Sequence, residues 1–269
     1  MPMADSAAEA RRDRPCALIT GASSGLGAAF ADRLARDGHD LVLVARDAGR
    51  LAEVARRAGE RHGARCTVLP ADLTAAADRR KVAERIEEGV DFLVNGAGFG
   101  VSGSFWQLDR KVLEEQLAVN VTAPQEFTHA AVRTMLGGAG GTVVNLSSIT
   151  GLIPGRGSTY AASKAWTRYF SLGLHEALRG TGTQVMVLCP GFVRTEFHAR
   201  AGIDVRQVSE GWWMDPDDVV DRCLADAARG RPFSLPGLRN KLFIAAVSRL
   251  PRPLAQRVNR MLGNAGARA

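Results

Sequence analysis

Tyr160 and Lys164 stand four residues apart in Tyr-Ala-Ala-Ser-Lys. On a helix that spacing projects both side chains from one face, one turn above the other. A free phenol has a pKa of about 10 and is a poor acid or base near neutrality. An ammonium held beside it favours the phenolate and moves that value toward the pH where proton transfer is useful. Ser147 and Ser148 follow the apolar run Thr142-Val143-Val144, and either could hydrogen-bond the oxygen of a carbonyl placed between serine and tyrosine. Such a set protonates a carbonyl oxygen while something else delivers hydride to the carbon. The same Tyr-x-x-x-Lys spacing also describes a surface tyrosine crossed by a lysine stem, so the rest of the chain must decide.

The elements that would position these residues alternate in type. The stretch Asn145 to Lys164 leaves a strand at the two serines, crosses a Gly/Pro-rich turn and enters a helix near Ser158. Near the start of the chain, the apolar run Cys16 to Thr20 stops at Gly21-Ala-Ser23-Ser24-Gly25-Leu26-Gly27, and an alanine-rich helical stretch follows to Asp37. Strand, glycine loop and helix form the arrangement in which backbone N–H groups and a helix dipole meet a phosphate. The spacing is G-x-x-x-G-x-G and not the G-x-G-x-x-G fingerprint. Leu41 to Ala45 is a second buried strand whose carboxyl end carries Arg46, with Arg50 one turn on. An arginine there suits a ribose 2′-phosphate and an acid suits a 2′-hydroxyl, so NADPH is expected over NADH, with Asp47 as the opposing feature. Strands at Arg65 to Leu69 and Asp91 to Asn95, with an amphipathic helix at Ala75 to Glu88, continue the βαβ rhythm. The fold expected is α/β: a doubly wound parallel sheet of about seven strands with helices on both faces. Ligands in such sheets bind beyond the carboxyl ends of the strands. The glycine loop, Arg46, Asp72, Asn95-Gly96-Ala97-Gly98 and both serines all fall there.

Composition narrows the function classes. The 269 residues are 46% hydrophobic and 23% charged, as in a soluble globular protein. No run approaches the roughly 18 apolar residues of a spanning helix. The net charge of +7 is carried by the tail: Arg231 to Ala269 holds eight basic residues and no acid, against 27 basic and 28 acidic residues before it. A nucleic-acid surface on the main body is therefore not expected. Cys16, Cys66, Cys189 and Cys223 lack metal-like spacing, so no metal site and no disulfide is expected, in a reducing cytoplasm. Residues 1–14 read as a disordered polar arm and not a signal peptide, 15–236 as the catalytic domain, and 237–269 as a basic tail.

Thr20-Gly-Ala-Ser-Ser-Gly-Leu-Gly27, Asn95-Gly-Ala-Gly98, Asn120, Ser148, Tyr160-Ala-Ala-Ser-Lys164 and Pro190-Gly191 together resemble the short-chain dehydrogenase/reductase family over about residues 14 to 195. The resemblance implies that Tyr160 is the general acid in reduction, that Lys164 lowers its pKa and binds the nicotinamide ribose, and that Ser148 holds the substrate oxygen. It also implies that Asn120, on the long helix after Leu108, supports a water in the proton relay. Asp72 and Leu73 would contact adenine, Asn95 to Gly98 would back the cofactor, and Val193 with Thr195 would hold the carboxamide. The family usually places its serine thirteen residues before the tyrosine. Here that is Ser147, but the pattern Ser-Ser-x-x-Gly151 favours Ser148 and a loop one residue shorter. A homodimer or homotetramer is the expected assembly.

The segment after Pro190-Gly191, about 192–214, would be a substrate lid, and its aromatics suggest an apolar substrate. Trp212 and Trp213 could equally pack on the next helix, and His198 reads as a solvated loop histidine. Asp215-Pro-Asp-Asp opens a helix, and Arg231 to Pro236 reads as the edge strand. Beyond it, Leu242, Phe243, Ala246, Val247 and Leu250 share one stripe of a basic amphipathic helix, which could cap the pocket, meet a partner subunit or lie on an anionic membrane. The expected activity is NADPH-dependent reduction of a lipophilic ketone or aldehyde, such as a 3-oxoacyl, fatty or polyketide-like compound. The alternatives are a non-catalytic NAD(P)-sensing protein or a peripheral membrane protein on the same fold.

Overall fold

The computed structural model describes residues 14–152, 159–206 and 208–249. The polar arm up to residue 13, the Gly/Pro-rich turn at 153–158 and the basic tail from Leu250 lie outside the described residues.

Among the described residues nine strands form: β1 (Cys16–Thr20), β2 (Asp40–Ala45), β3 (Cys66–Pro70), β4 (Phe92–Asn95), β5 (Gly141–Leu146), β6 (Thr183–Leu188), β7 (Phe192–Val193), β8 (Trp213–Met214) and β9 (Phe233–Ser234). Seven of them make one parallel sheet in the order β3-β2-β1-β4-β5-β6-β9. Helices α1 (Gly25–Arg36), α2 (Ala48–His62) and α8 (Pro216–Ala227) cover one face. The other face carries α3 (Ala76–Glu87), α4 (Arg110–Leu117), α5 (Ala123–Leu136) and α6 (Thr159–Ala177). Because both faces are covered, the strands are apolar at successive positions: Ala17 and Ile19 of β1 enter one core while Cys16 and Leu18 enter the other. Phe30 of α1 and Phe127 of α5 are fully buried, one in each core, and each contributes roughly 1.5–3 kcal/mol of burial. The strand order reverses between β1 and β4, which opens a crevice at their carboxyl ends.

Three elements differ from the sequence expectation. The long helix carrying Asn120 is not uninterrupted: between α4 and α5 lies a π-helical turn, Ala118–Thr122. The edge strand shrinks to Phe233 and Ser234, because Pro232 can offer its carbonyl to the Val187 N–H (2.9 Å) but neither Pro232 nor Pro236 has an N–H for the ladder. Finally, α9 (Leu238–Ser248) does not bury the expected stripe. Asn240 and Val247 are buried and Phe243 and Ile244 half-buried, while Leu242 is 62% exposed and Ala246 faces solvent. Apolar residues surround this helix, so the neighbouring Gly191 and Trp212 set its facing rather than its own periodicity. Among the described residues no helix is long and apolar enough to cross a membrane.

Candidate active site

The crevice at the strand ends is a cleft of about 1760 Å³. A single drug-sized ligand fills roughly 300–1,000 Å³, so the cleft has room for a dinucleotide and a second molecule. One end is lined by the glycine loop, Arg46, Asp72 and Leu73; the middle by Gly96, Ala97, Ser148, Tyr160 and Lys164; the other end by Phe197, His198, Trp212 and Phe243.

The glycine loop is built for close backbone approach. A Cβ on Gly27 would sit 2.1 Å from the Gly21 carbonyl oxygen, and Gly21 itself has φ +71° with Ala97 packed against it. Thr20 locks the two strand ends on either side of the crevice, its Oγ1 accepting from the N–H groups of Gly96 (3.1 Å) and Ala97 (3.2 Å). Ser23, Ser24, Gly25 and Leu26 line the cleft between these anchors.

At the end of β2, Arg46 is exposed and lines the cleft. Its neighbour Asp47 is committed elsewhere: its Oδ1 caps α2 by accepting from Arg50 N–H at 2.9 Å, and its Oδ2 lies 3.5 Å from Arg50 Nε. The acid that argued for NADH from sequence is thus a helix cap. Asp72 accepts from the Thr74 N–H and hydroxyl (3.0 and 2.9 Å), which folds the turn that presents Leu73. Arg79 buttresses that turn from behind, donating to the carbonyls of Leu73 (3.1 Å) and Thr74 (3.0 Å) and to Glu126 of α5 (3.0 Å).

Tyr160 and Lys164 share one face of α6, with Nζ 5.6 Å from the centre of the phenol ring. Nζ donates to the Leu146 carbonyl at 2.7 Å. The serines divide as their geometry dictates: Ser147 is buried and donates to the Lys164 carbonyl (2.6 Å), whereas Ser148 lines the cleft and hydrogen-bonds the Tyr160 phenol. Burial pushes the Tyr160 phenol above its ordinary value, and the bond from Ser148 acts against that rise. The same burial pushes Lys164 down to about 8. Desolvation is the largest influence on the phenol, while the Lys164 ammonium lies over the ring and is anchored on the Leu146 carbonyl.

Two residues expected at the site stand behind it. The Asn95 side chain is buried and donates to Asn145 (2.8 Å) and Thr128 (3.1 Å), so it braces β4 against β5 while Gly96 and Ala97 face the cleft. Asn120 is also buried, its amide spent on the backbone of Phe99 and on Ser163. Sequence reasoning missed the residues that fix α6. Gln116 accepts from the Thr159 hydroxyl (2.5 Å) and donates to the Phe99 carbonyl (3.3 Å), and Ser163 donates to the Tyr160 carbonyl (2.7 Å). Ser163 lies inside the Tyr-Ala-Ala-Ser-Lys signature and was legible there; Gln116 carries no signal in sequence.

Pro190 and Gly191, which line the cleft with Val193 and Thr195, lead into the segment 192–214 expected to be a substrate lid. Within it β7 and β8 pair, and Phe197, His198 and Arg200 of the short helix α7 (Phe197–Arg200) line the cleft. His198 is not a solvated loop histidine: its ring lies 5.5 Å from Phe192, 5.5 Å from Phe197 and 5.3 Å from Trp213, and desolvation lowers its pKa. Phe197 in turn lies 5.5 Å from the Tyr160 ring. Trp213 packs on Phe192 and His198 of the same segment, while Trp212 meets Phe243 of α9 edge to face at 5.8 Å.

A family profile for short chain dehydrogenases matches residues 15–205. The chain belongs to the short-chain dehydrogenase family. As a member it is an NAD(P)-dependent oxidoreductase. An uncharacterized oxidoreductase of Staphylococcus saprophyticus is 34% identical to it over 212 residues, 77% of this chain and 88% of that one. A sulfoacetaldehyde reductase of Chromohalobacter salexigens is 38% identical over 191 residues, 68% of this chain and 74% of that one. Among solved structures, a short-chain dehydrogenase from Sphingobium yanoikuyae in complex with NADPH aligns with a TM-score of 0.79 at 36% identity, covering 88% of this chain and 97% of that one. The bulky-bulky ketone specific alcohol dehydrogenase from Comamonas testosteroni aligns at 0.75 and 34% identity, covering 88% and 95%.

The cleft of this short-chain dehydrogenase fits a dinucleotide on its own geometry. Gly21 in the loop before α1 and Gly27 in its first turn have no space for side chains, so the loop packs close against the helix N-terminus, whose N–H groups are the donors that a pyrophosphate requires. Arg46 stands free of the acid beside it.

Proposed function

We propose that this short-chain dehydrogenase reduces a bulky, apolar ketone or aldehyde with NADPH, Tyr160 acting as the proton donor. The observation that carries the reading is the placement of Tyr160, bonded to Ser148 and stacked over Lys164, where the dinucleotide-shaped and aromatic ends of one cleft meet. When bound, the nicotinamide supplies the hydride. Ser148 Oγ would hold the carbonyl oxygen beside the phenol. A phenol whose pKa is raised by burial arrives protonated, which is the form that reduction consumes. The Lys164 ammonium, anchored on Leu146, lies where it would stabilise the phenolate left behind. Ser147 fixes the backbone of that lysine, and Asn120 with Gln116 fixes the segment facing it.

Arg46 would receive the 2′-phosphate, with Asp72 and Leu73 at the adenine and Val193 and Thr195 at the carboxamide. The lining of the substrate end favours apolar bulk: Phe105, Phe197, Ile203, Val208, Trp212 and Phe243 converge there. On this reading α9 belongs to the catalytic unit, since Phe243 walls the cleft.

NADPH absorbance followed across ketones of graded size, with small anionic aldehydes as the contrast, tests the assignment. Bulky apolar ketones should give the highest kcat/KM, and preference for the anionic aldehydes would overturn the substrate class. Tyr160→Phe should still quench on NADPH addition but lose turnover by about 10²–10⁴-fold, and retained turnover would remove the acid.

A further inference from the structure

The opening of the cleft at the Arg46 end is crossed by an ion network that joins the lid to the sheet. Arg50, in the first turn of α2, donates through Nη1 to Glu196 Oε2 at 2.8 Å. Arg200, on α7 of the lid, donates through Nη2 to that same oxygen. The other guanidinium nitrogen of Arg200 reaches the glycine loop, 3.4 Å from Ser24 Oγ. Two guanidiniums from distant parts of the chain thus converge on one carboxylate oxygen at the rim of the cleft, and all four side chains line it. Each member of the Arg50–Glu196–Arg200 set is about half exposed, between 48% and 54%. Exposed pairs of this kind contribute little to stability and are readily exchanged. A phosphate dianion offers three oxygens to the same two forks and satisfies them better than a single carboxylate oxygen.

We propose that Glu196 is a placeholder for the cofactor's 2′-phosphate, and that NADPH takes over Arg50 and Arg200 from it, so that a lid residue takes part in the choice of NADPH over NADH. Arg200 is then a specificity determinant alongside Arg46, and the exchange ties α7 to the bound nucleotide through the phosphate. NADH, with a 2′-hydroxyl, leaves the arginines on Glu196. The inference rests on the reading of NADPH as the cofactor. The carboxyl of Glu196 is lowered and the guanidinium of Arg50 raised by their shared hydrogen bond, as expected of an ion pair at the surface.

Calorimetric titration with adenosine 2′,5′-bisphosphate and with 5′-AMP tests this without turnover, alongside NADPH and NADH. Arg200→Met should cost about tenfold in affinity for the bisphosphate, as expected for one charge-assisted contact, and leave 5′-AMP unchanged. Arg200→Lys should restore part of the loss, and Glu196→Gln should tighten the bisphosphate while leaving 5′-AMP within about twofold. In the wild type the margin between the two nucleotides should shrink as salt rises from 0.01 to 1 M, where screening shortens from about 30 to about 3 Å. A wild-type protein that does not distinguish the two nucleotides overturns both the cofactor reading and this inference. A wild-type preference for the bisphosphate that survives unchanged in Arg200→Met and Glu196→Gln overturns this inference alone.

Discussion

Asn120 closes a reciprocal pair of hydrogen bonds on Phe99, its Oδ1 accepting from the Phe99 N–H at 3.0 Å and its Nδ2 donating to the Phe99 carbonyl at 2.9 Å. The side chain therefore acts as a surrogate strand neighbour for a segment that has left the sheet, and Gly98 beside it can lie against both Asn120 and Lys164 only for want of a Cβ. The π turn around Asn120 also shifts the helical hydrogen-bond register at this point, as such turns do at functional sites.

Asn120→Leu leaves the half-buried Phe99 N–H without a partner, at about 1–3 kcal/mol, and leaves the Phe99 carbonyl with only the bond from Gln116. Thermal unfolding should register that loss. Turnover should fall with it, because Asn120 and Lys164 lie against the same glycine, Gly98. Full stability in this variant would mean that water replaces the amide and that Asn120 is not the brace described above.

The depressed Lys164 gives a pH profile with a definite sign. Its folded value, pushed down to about 8, lies below the ordinary 10.5, so between those values the unfolded chain binds more protons than the folded one. Stability contributed by this group should rise with pH across that window. Activity should move the other way: kcat/KM for reduction should fall as the ammonium is lost near pH 8, while the Tyr160 phenol stays protonated. Lys164→Arg, which cannot lose its charge in this range, should shift the falling limb upward. A limb unmoved by that substitution would belong to another group.

The two serines should separate cleanly. Ser148→Ala removes a serine hydroxyl bonded to the phenol and should lower kcat with little change in melting temperature. Ser147→Ala withdraws a buried donor from the Lys164 carbonyl, costing about 1 kcal/mol of stability, and should spare most of kcat. The reverse pattern would exchange their roles.

Much of this was legible before any coordinates. Apolar runs buried on both faces, punctuated by glycine loops, specify a parallel sheet, and the chemistry collects at strand ends because only there does backbone meet a crevice. What the sequence concealed depends on contacts between remote segments. Asp47 looks like a ribose ligand until its carboxylate is seen capping α2. Asn95 and Asn120 look like cleft residues until their amides are seen turned inward. The facing of α9 could not be read from a helix whose apolar residues are spread around it, and the rise in the Tyr160 pKa comes from desolvation in the folded cleft, which residue spacing does not carry.

Arg79 offers a test of positioning at a distance. It touches no cleft residue with a reacting atom, yet its guanidinium holds the carbonyls of Leu73 and Thr74 and is itself held by Glu126. Arg79→Met should loosen the turn at the adenine end, raising KM for NADPH by about tenfold while kcat at saturation changes little. Arg79→Lys, which keeps the charge but not the fork, should recover only part of that loss. A variant with reduced kcat and an unchanged KM would place the effect elsewhere.

Phe243 decides whether the tail helix takes part in recognition. Its ring meets Trp212 at 5.8 Å and both line the substrate end of the cleft, so one wall comes from α9 and the other from the lid. Phe243→Ala removes apolar surface that only a large substrate can reach. KM for bulky ketones should rise by about tenfold or more, whereas KM for a small aldehyde, seated against Ser148 and Tyr160, should stay within about twofold. Loss of packing on Trp212 alone would weaken the fold and both substrates together, and Phe243→Leu, which refills most of the volume, should restore the bulky ketone first. Equal changes for large and small substrates would return α9 to a purely structural role.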